Sequence, residues 1–186
     1  MPDIQDPAQA VRLLARAYRF AAERHARQRR KGDAAEPYVN HLTEVADLVA
    51  EATGGRDPDL VAAAMLHDVV EDTPTRLEEV EALFGTDIAG LVGEATDDTS
   101  LPRAERKRLQ VAHAPARSPR AKMLKLADKT SNVRALATSP PADWQRDRRA
   151  DYIRWAREVV AGLRGPSPWL EAQFDAAAAA AEAALR

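Results

Sequence analysis

Between Leu60 and Thr73 the chain reads LVAAAMLHDVVEDT, bringing one imidazole and three carboxylates, His67, Asp68, Glu71 and Asp72, onto one short stretch. On a helix turning ~100° per residue, with His67 at zero, Glu71 falls near ~40°, Asp68 near ~100° and Asp72 near ~140°. Ala62, Ala63, Leu66, Val69 and Val70 fill the opposite side. The segment therefore sets an apolar wall against four ionisable groups. Its first half, Leu60 to Leu66, is apolar nearly all round and is expected to be buried. Gathering acids and an imidazole against a buried surface is costly unless a cation or hydrogen bonds compensate. A divalent metal would do so. A helix end whose acids simply face water is the alternative, and spacing by itself leaves both open.

Two other places carry groups of the same kind. In MLKLADK, residues 123–129, Asp128 is four residues before Asn132 and three after Lys125, so the three share a face. That suits a ligand set, and equally an ordinary ion pair with Lys125. His41 closes the segment PYVNH at a predicted helix start, where a lone histidine commonly caps or packs. The cationic run Arg27 to Lys31 before it reads as a solvated helix end, favoured by the negative pole of the helix dipole. His25 and His113 read as surface or packing histidines.

The elements that must position these groups are helices. No alternating strand pattern occurs. The punctuation predicts helices over about 7–30, from Asn40 to the Gly54-Gly55 stop, and over about 60–72 behind the Asp57-Pro58 cap. Thr75 to Glu78 has capping-box spacing and opens a short helix closed by Gly85. Further helices are predicted over about 87–95, after Pro102, over 120–137, 142–163 and 168–185, the last opened by Ser167-Pro168. The expectation is one all-α domain of eight or nine helices over 1–186. With 186 residues of which 45% are hydrophobic, there is material for one core and none of the character of a disordered chain. Lys+Arg 27 against Asp+Glu 29 gives a net charge of -2, which disfavours a nucleic-acid binder working by bulk electrostatics. Cysteine is absent, so any metal must be held by His, Asp or Glu. No apolar run approaches the ~20 residues of a membrane span, and MPDIQDPAQAVRLL lacks the layout of a signal peptide, so a cytoplasmic protein is expected.

Order and spacing together are far more specific than any one segment. The chain resembles the HD-domain phosphohydrolases, and within them the hydrolase module of the RelA/SpoT alarmone enzymes, in particular the small stand-alone hydrolases of the metazoan SpoT homologue type. The matching segments are QRRKG and PYVNH within 28–41, AAMLHDVVEDT at 63–73, and FG at 84–85. EATDDTSLPRAERKRLQV at 94–111, SPRAKMLKLADKTSNVRAL at 118–136 and YIRWAREVVAGL at 152–163 continue the match. By that resemblance His41, His67, Asp68 and Asp128 are the ligands of one divalent metal, typically Mn²⁺, with Zn²⁺ or Fe²⁺ as the other candidates. Two imidazoles with two carboxylates suit these ions better than Ca²⁺. Glu71 and Asp72 are the catalytic acids. Asn132, Arg30 and Lys31 contact the nucleotide, as do Arg103, Arg148 and Tyr152, whose other readings are surface charge for the arginines and core for the tyrosine. The chain departs from the family where Leu42 follows His41 in place of proline. It departs again at Thr130-Ser131, where larger apolar and aromatic or His residues are usual.

The resemblance implies a (p)ppGpp 3′-pyrophosphohydrolase of the stringent-response type, in which metal-activated water releases pyrophosphate and GDP or GTP. It implies a small nucleotide as the partner, with no nucleic acid or membrane, and neither a synthetase nor a regulatory domain. An alternative keeps the metal and changes the substrate, as in a phosphatase on the 2′-phosphate of NADPH. A third reading is a non-catalytic nucleotide-binding module. The sequence leaves oligomeric state open.

Overall fold

The computed structural model describes residues 6–186; the first five residues of the N-terminal segment read above lie outside it. The architecture is all-α: α1 (Pro7–Arg24), α2 (Val39–Thr53), α3 (Pro58–Leu66), α4 (Val69–Asp72), α5 (Leu77–Phe84), α6 (Thr86–Ala95), α7 (Arg103–His113), α8 (Pro119–Thr138), α9 (Arg146–Leu163) and α10 (Pro168–Ala183). A 3₁₀ turn, Ala114–Ala116, links α7 to α8. Taking α3 and the single turn α4 as one interrupted helix, the described residues form nine helices. Two isolated bridges, Arg29 with Pro37 and Gly32 with Pro141, are the sole β pairings among them. No helix of the described residues is long and apolar enough to cross a membrane.

Several predicted stops and starts operate as read. Gly54 takes the left-handed conformation (φ 59°) that closes α2. Asp57 caps α3 through Leu60 N–H at 3.0 Å, and Ser167 caps α10 through Leu170 N–H. Four boundaries differ. α2 opens at Val39 behind Tyr38 without a side-chain cap, so Asn40 lies inside the helix and does not cap it. α1 stops at Arg24 rather than near residue 30, because His25 turns inward and the chain after it is bound to the 36–38 segment. The capping box at Thr75 does not form: Thr75 takes the hydroxyl hydrogen of Thr73 on its own Oγ1, and α5 starts behind Arg76 without a side-chain cap. α9 starts at Arg146, since residues 142–145 are spent on the turn after Pro140-Pro141.

The core is formed by α3 and α8 with helices laid on both. Leu60, Val61, Ala62, Ala63, Ala64 and Leu66 are all buried, as the apolar first half of that segment requires. α8 is hidden along most of its length and is covered by α2, α9 and α10. α10 presses Leu170, Phe174, Ala178 and Ala181 into the interior, so the Ala-rich terminus is a packing element. Each fully buried Leu or Phe of this set contributes ~1.5–3 kcal/mol. Lys125, Asp128, Lys129, Thr130 and Ser131 are buried within α8 itself. A run of buried polar groups in one helix has to be satisfied by something, and they surround the site.

Candidate metal centre and active site

The helix that was read as continuous over 60–72 is broken at His67-Asp68. Asp68 has φ −102° and ψ −2°, a bridge conformation that active-site residues often occupy, and α4 restarts behind it. The break carries the Asp68 carboxylate to the same side as His67. From α2 comes His41, and from the middle of α8 comes Asp128. His67 Nε2 is 3.0 Å from Asp68 Oδ2 and 3.9 Å from Asp128 Oδ1. His41 Nε2 lies 3.6 Å from Asp68 Oδ2 and 3.5 Å from Asp128 Oδ1. Ligand atoms held ~2.1 Å from one small cation are themselves ~3–4 Å apart, the spacing seen here.

The hydrogen bonding tests whether these residues fit a metal. His67 Nδ1–H donates to Ala64 C=O at 2.8 Å. His41 Nδ1–H donates to Ser131 Oγ at 2.8 Å, and that hydroxyl donates to Glu44 Oε2 at 2.6 Å. Both imidazoles are thereby held in the tautomer that turns an Nε2 lone pair towards the carboxylates. Both Nε2 atoms are buried without a hydrogen-bond partner. A buried acceptor left open costs ~1–3 kcal/mol, and two aimed at the same point are what a cation would satisfy. His41, His67 and Asp128 form a buried group able to hold an ion, with Asp68 Oδ2 within the same reach of both imidazoles.

The electrostatics agree. Burial opposes ionisation of Asp68, but positive charge at the imidazoles outweighs it and holds the carboxyl well below its ordinary range. Burial lowers and the Asp68 carboxylate raises the His67 pKa, to about 9 on balance, so while no cation is bound a proton on Nε2 supplies that charge. Burial opposes ionisation of Asp128 too, and Lys129 with the same two imidazoles reverses it. Lys129 Nζ binds Asp128 Oδ2 at 2.8 Å and lies 5.1 Å from the Trp155 ring centroid, leaving Asp128 Oδ1 to face the imidazoles. Tyr38 donates to Asp68 Oδ2 at 2.6 Å; burial and the acids beside it push its hydroxyl pKa far up, so it stays a donor. Lys125 does not pair with Asp128. Its Nζ donates to Ala95 C=O at 2.7 Å, and burial lowers its pKa.

Beside this group lies a cleft of about 660 Å³, of a size that holds a nucleotide. His41, Asp72, Arg30, Lys31, Asn132, Arg103 and Tyr152 all line it. Asn132 donates to Asp128 Oδ1 at 2.5 Å and accepts from Arg30 at 3.2 Å, which ties the cationic loop to α8. That loop sits tightly against residues 139–141: a Cβ on Gly32 would lie 2.2 Å from Ser139 C=O, so only glycine fits. Arg148 stands back from the wall, its guanidinium 4.5 Å from the centroid of Trp144, which does line the cleft. Glu71 is not among the residues lining the cleft; its carboxylate accepts from Asp97 N–H and from Arg106 at 3.2 Å each. Burial, with Asp97 nearby, raises its pKa.

Sequence reasoning missed Ser131, Glu44, Tyr38 and Lys129, all of which hold a presumed ligand in place. The spacing was available: Glu44 is one turn after His41, and Ser131 three residues after Asp128. Thr130-Ser131, the family departure, divides its work between a Thr130 bond to Leu126 C=O and support of His41. Ser131→Ala should weaken Mn²⁺ binding ~10–100-fold in a calorimetric titration while leaving the fold intact, because His41 loses the acceptor that fixes its tautomer. Unchanged affinity would remove that role.

Comparison with known proteins gives a concordant result. The family model described as "HD domain" matches residues 17–153. The guanosine-3′,5′-bis(diphosphate) 3′-pyrophosphohydrolase MESH1 of Xenopus tropicalis is 48% identical over 163 residues, covering 88% of this chain and 91% of its own. The human protein of that name is 48% identical over 164 residues with the same coverage. A solved structure of a metazoan orthologue of SpoT, described as hydrolysing ppGpp, superposes with a TM-score of 0.86 at 45% identity, over 89% of this chain and 93% of that one.

Proposed function

Because the chain belongs to the HD-domain family, we propose that it is a metal-dependent guanosine-3′,5′-bis(diphosphate) 3′-pyrophosphohydrolase, a single hydrolase domain acting on a soluble nucleotide. The observation that carries this reading is the pair of buried, unpartnered Nε2 atoms converging with two carboxylates beside a cationic cleft. His41, His67, Asp68 and Asp128 would hold the ion. Their mixed nitrogen and carboxylate donors suit Mn²⁺, Fe²⁺ or Zn²⁺ better than Ca²⁺, and among these the family resemblance favours Mn²⁺. When bound, such a cation supplies Lewis acidity that makes water a stronger acid and offsets phosphoryl charge.

The remaining work falls to side chains. Asp72 at the cleft and Glu71 behind it are the carboxylates that orient the attacking water and take its proton. The upward shift of Glu71 moves it towards the range in which a base works near neutral pH. Arg30, Lys31 and Arg103 neutralise the phosphates, and Asn132 fixes the distance between Arg30 and the ligand Asp128. Tyr152 and Trp144, whose ring centroids are 5.5 Å apart, form an aromatic wall that Arg148 supports from behind. The water oxygen bonds to the phosphorus next to the ribose as its proton passes to a carboxylate, the bond from that phosphorus to the 3′ oxygen breaks, and the departing 3′ oxygen takes a proton to become the hydroxyl. Pyrophosphate and GDP or GTP leave.

The deciding experiment offers the Mn²⁺-loaded protein ppGpp and NADPH in parallel and identifies the products. Pyrophosphate with GDP is expected. Orthophosphate from NADPH with no turnover of ppGpp would replace the substrate, and binding without turnover of either would make the domain a sensor.

A further inference from the structure

One buried histidine has no part in the set above. His25 is 2% exposed, although its place after α1 and among charged neighbours reads as surface. Its ring stacks on Tyr38, with centroids 5.1 Å and planes 22° apart. Its Nδ1 is 2.5 Å from Gln28 Oε1, and Gln28 Nε2 donates to Asp72 Oδ2 at 2.8 Å. Tyr38, on the other side of the stack, donates to Asp68 and packs edge-on against His41. The backbone repeats the connection, since Tyr38 N–H donates to Gln28 C=O at 3.1 Å and Gln28 N–H to His25 C=O at 2.9 Å. A continuous set of contacts thus runs from one presumed metal ligand, through Tyr38, His25 and Gln28, to one presumed catalytic carboxylate.

The direction of each hydrogen bond matters. A primary amide can present oxygen or nitrogen to a neighbour, and only nitrogen is attractive to a carboxylate. His25 Nδ1–H donating to Gln28 Oε1 selects the orientation that turns the Gln28 NH₂ group to Asp72. Reversal would set two acceptors against each other at Asp72 and two donors at His25. His25 Nε2 is buried without a protein partner, so a hydrogen on that atom would be unmatched, which favours the Nδ1–H tautomer that the arrangement needs. Stacking on Tyr38 and burial hold the ring in its plane.

We propose that His25 and Gln28 are positioning residues for the hydrolytic step: His25 fixes the Gln28 amide, and Gln28 holds the Asp72 carboxylate at a set place relative to the ligand Asp68. This rests on the reading of Asp72 as a catalytic carboxylate. Gln28 lines the cleft beside Asp72 and His25 lies behind it. The Gln28 amide is committed to Asp72 and neither residue donates to a metal ligand, so their effect falls chiefly on the rate of the bound complex.

The test uses the full chain loaded with Mn²⁺, with ppGpp as substrate and circular dichroism and thermal unfolding as controls for folding. Gln28→Leu and His25→Phe, the latter keeping an aromatic ring for the stack, are each expected to lower kcat ~10–100-fold. KM for ppGpp and the calorimetric affinity for Mn²⁺ should stay within about twofold, since neither the phosphate contacts nor the ligands change. His25→Asn, which returns an N–H near the position of Nδ1, should recover most of the rate, whereas His25→Gln, whose amide reaches the Nε2 position, should not. In an Asp72→Asn background His25→Phe should cost little more. Folded Gln28→Leu and His25→Phe proteins with parental kcat overturn the proposal, as does equal loss in His25→Asn and His25→Phe. Full activity in Asp72→Asn itself would instead overturn the catalytic role of Asp72, a result told apart by that single variant.

Discussion

Asp128→Asn is expected to abolish turnover while leaving a helical protein. The substitution keeps the shape of the side chain but only one acceptor oxygen, where Asn132 uses Oδ1 and Lys129 uses Oδ2 of the parent carboxylate, so what it removes is the charge and one acceptor. In the parent, Asp128 Oδ1 faces both imidazoles at 3.5 and 3.9 Å while Oδ2 pairs with Lys129. A neutral amide binds a divalent cation weakly, and the loss should exceed the ~10–100-fold that removal of an outer partner costs. Stability should fall as well. Lys129 is at least as buried as Asp128, and leaving one member of such a pair without its counter-charge costs ~3–5 kcal/mol. Calorimetric titration with Mn²⁺, a rate assay on ppGpp and urea unfolding measure the three effects separately. Parental Mn²⁺ affinity in a folded Asp128→Asn protein would mean that the cation, if any, sits elsewhere. His67→Ala provides the control from the other helix, since it opens the ligand set without touching Lys129 and should lose the metal with a smaller fall in stability.

The two effects differ because one residue does two jobs, and that duality marks the limit of what was legible in the sequence. The all-α class and the caps at Asp57 and Ser167 follow from local rules, apolar periodicity, cap chemistry and glycine stops, whereas the proposed ligand set came from the family resemblance and not from spacing. The break at His67-Asp68 does not, because nothing within AAMLHDVVEDT forbids an unbroken helix; the bend appears only where Asp68 must reach the same point as His41 from α2 and Asp128 from α8. Tertiary demand overrides propensity there. Tyr38, Glu44, Ser131 and His25 were illegible for the same reason. Tyr38, Glu44 and Ser131 act across separations of about thirty to ninety residues, and His25 on Gln28 and Tyr38 beyond the end of its helix, on groups that spacing rules limited to one helix cannot connect. The short α1 is a consequence of that network too, since His25 and Gln28 leave the helix in order to join it.

Glu71→Gln should separate chemistry from metal binding. Glu71 is not within the ligand group; its carboxylate accepts from the Asp97 N–H and from Arg106, and glutamine can preserve one such acceptor with nearly unchanged volume. What glutamine cannot do is take a proton. Burial raises the pKa of Glu71, with the Asp97 carboxylate adding to it, and this brings the group closer to the proton affinity of the water it is to deprotonate. Loss of a general base of this kind costs ~10²–10⁴ in kcat. Mn²⁺ affinity and KM for ppGpp should hold, because ligands and phosphate-binding cations are untouched. Asp72→Asn, made in parallel, assigns the shares. Asp72 lines the cleft and Glu71 does not, so a larger loss at Asp72 would put proton transfer there and leave Glu71 to hold Arg106 and the 96–98 loop in place. Equal kcat in Glu71→Gln and the parent would take Glu71 out of the reaction altogether. A fall at both positions, with the metal still bound, is the outcome that two carboxylates sharing one water require.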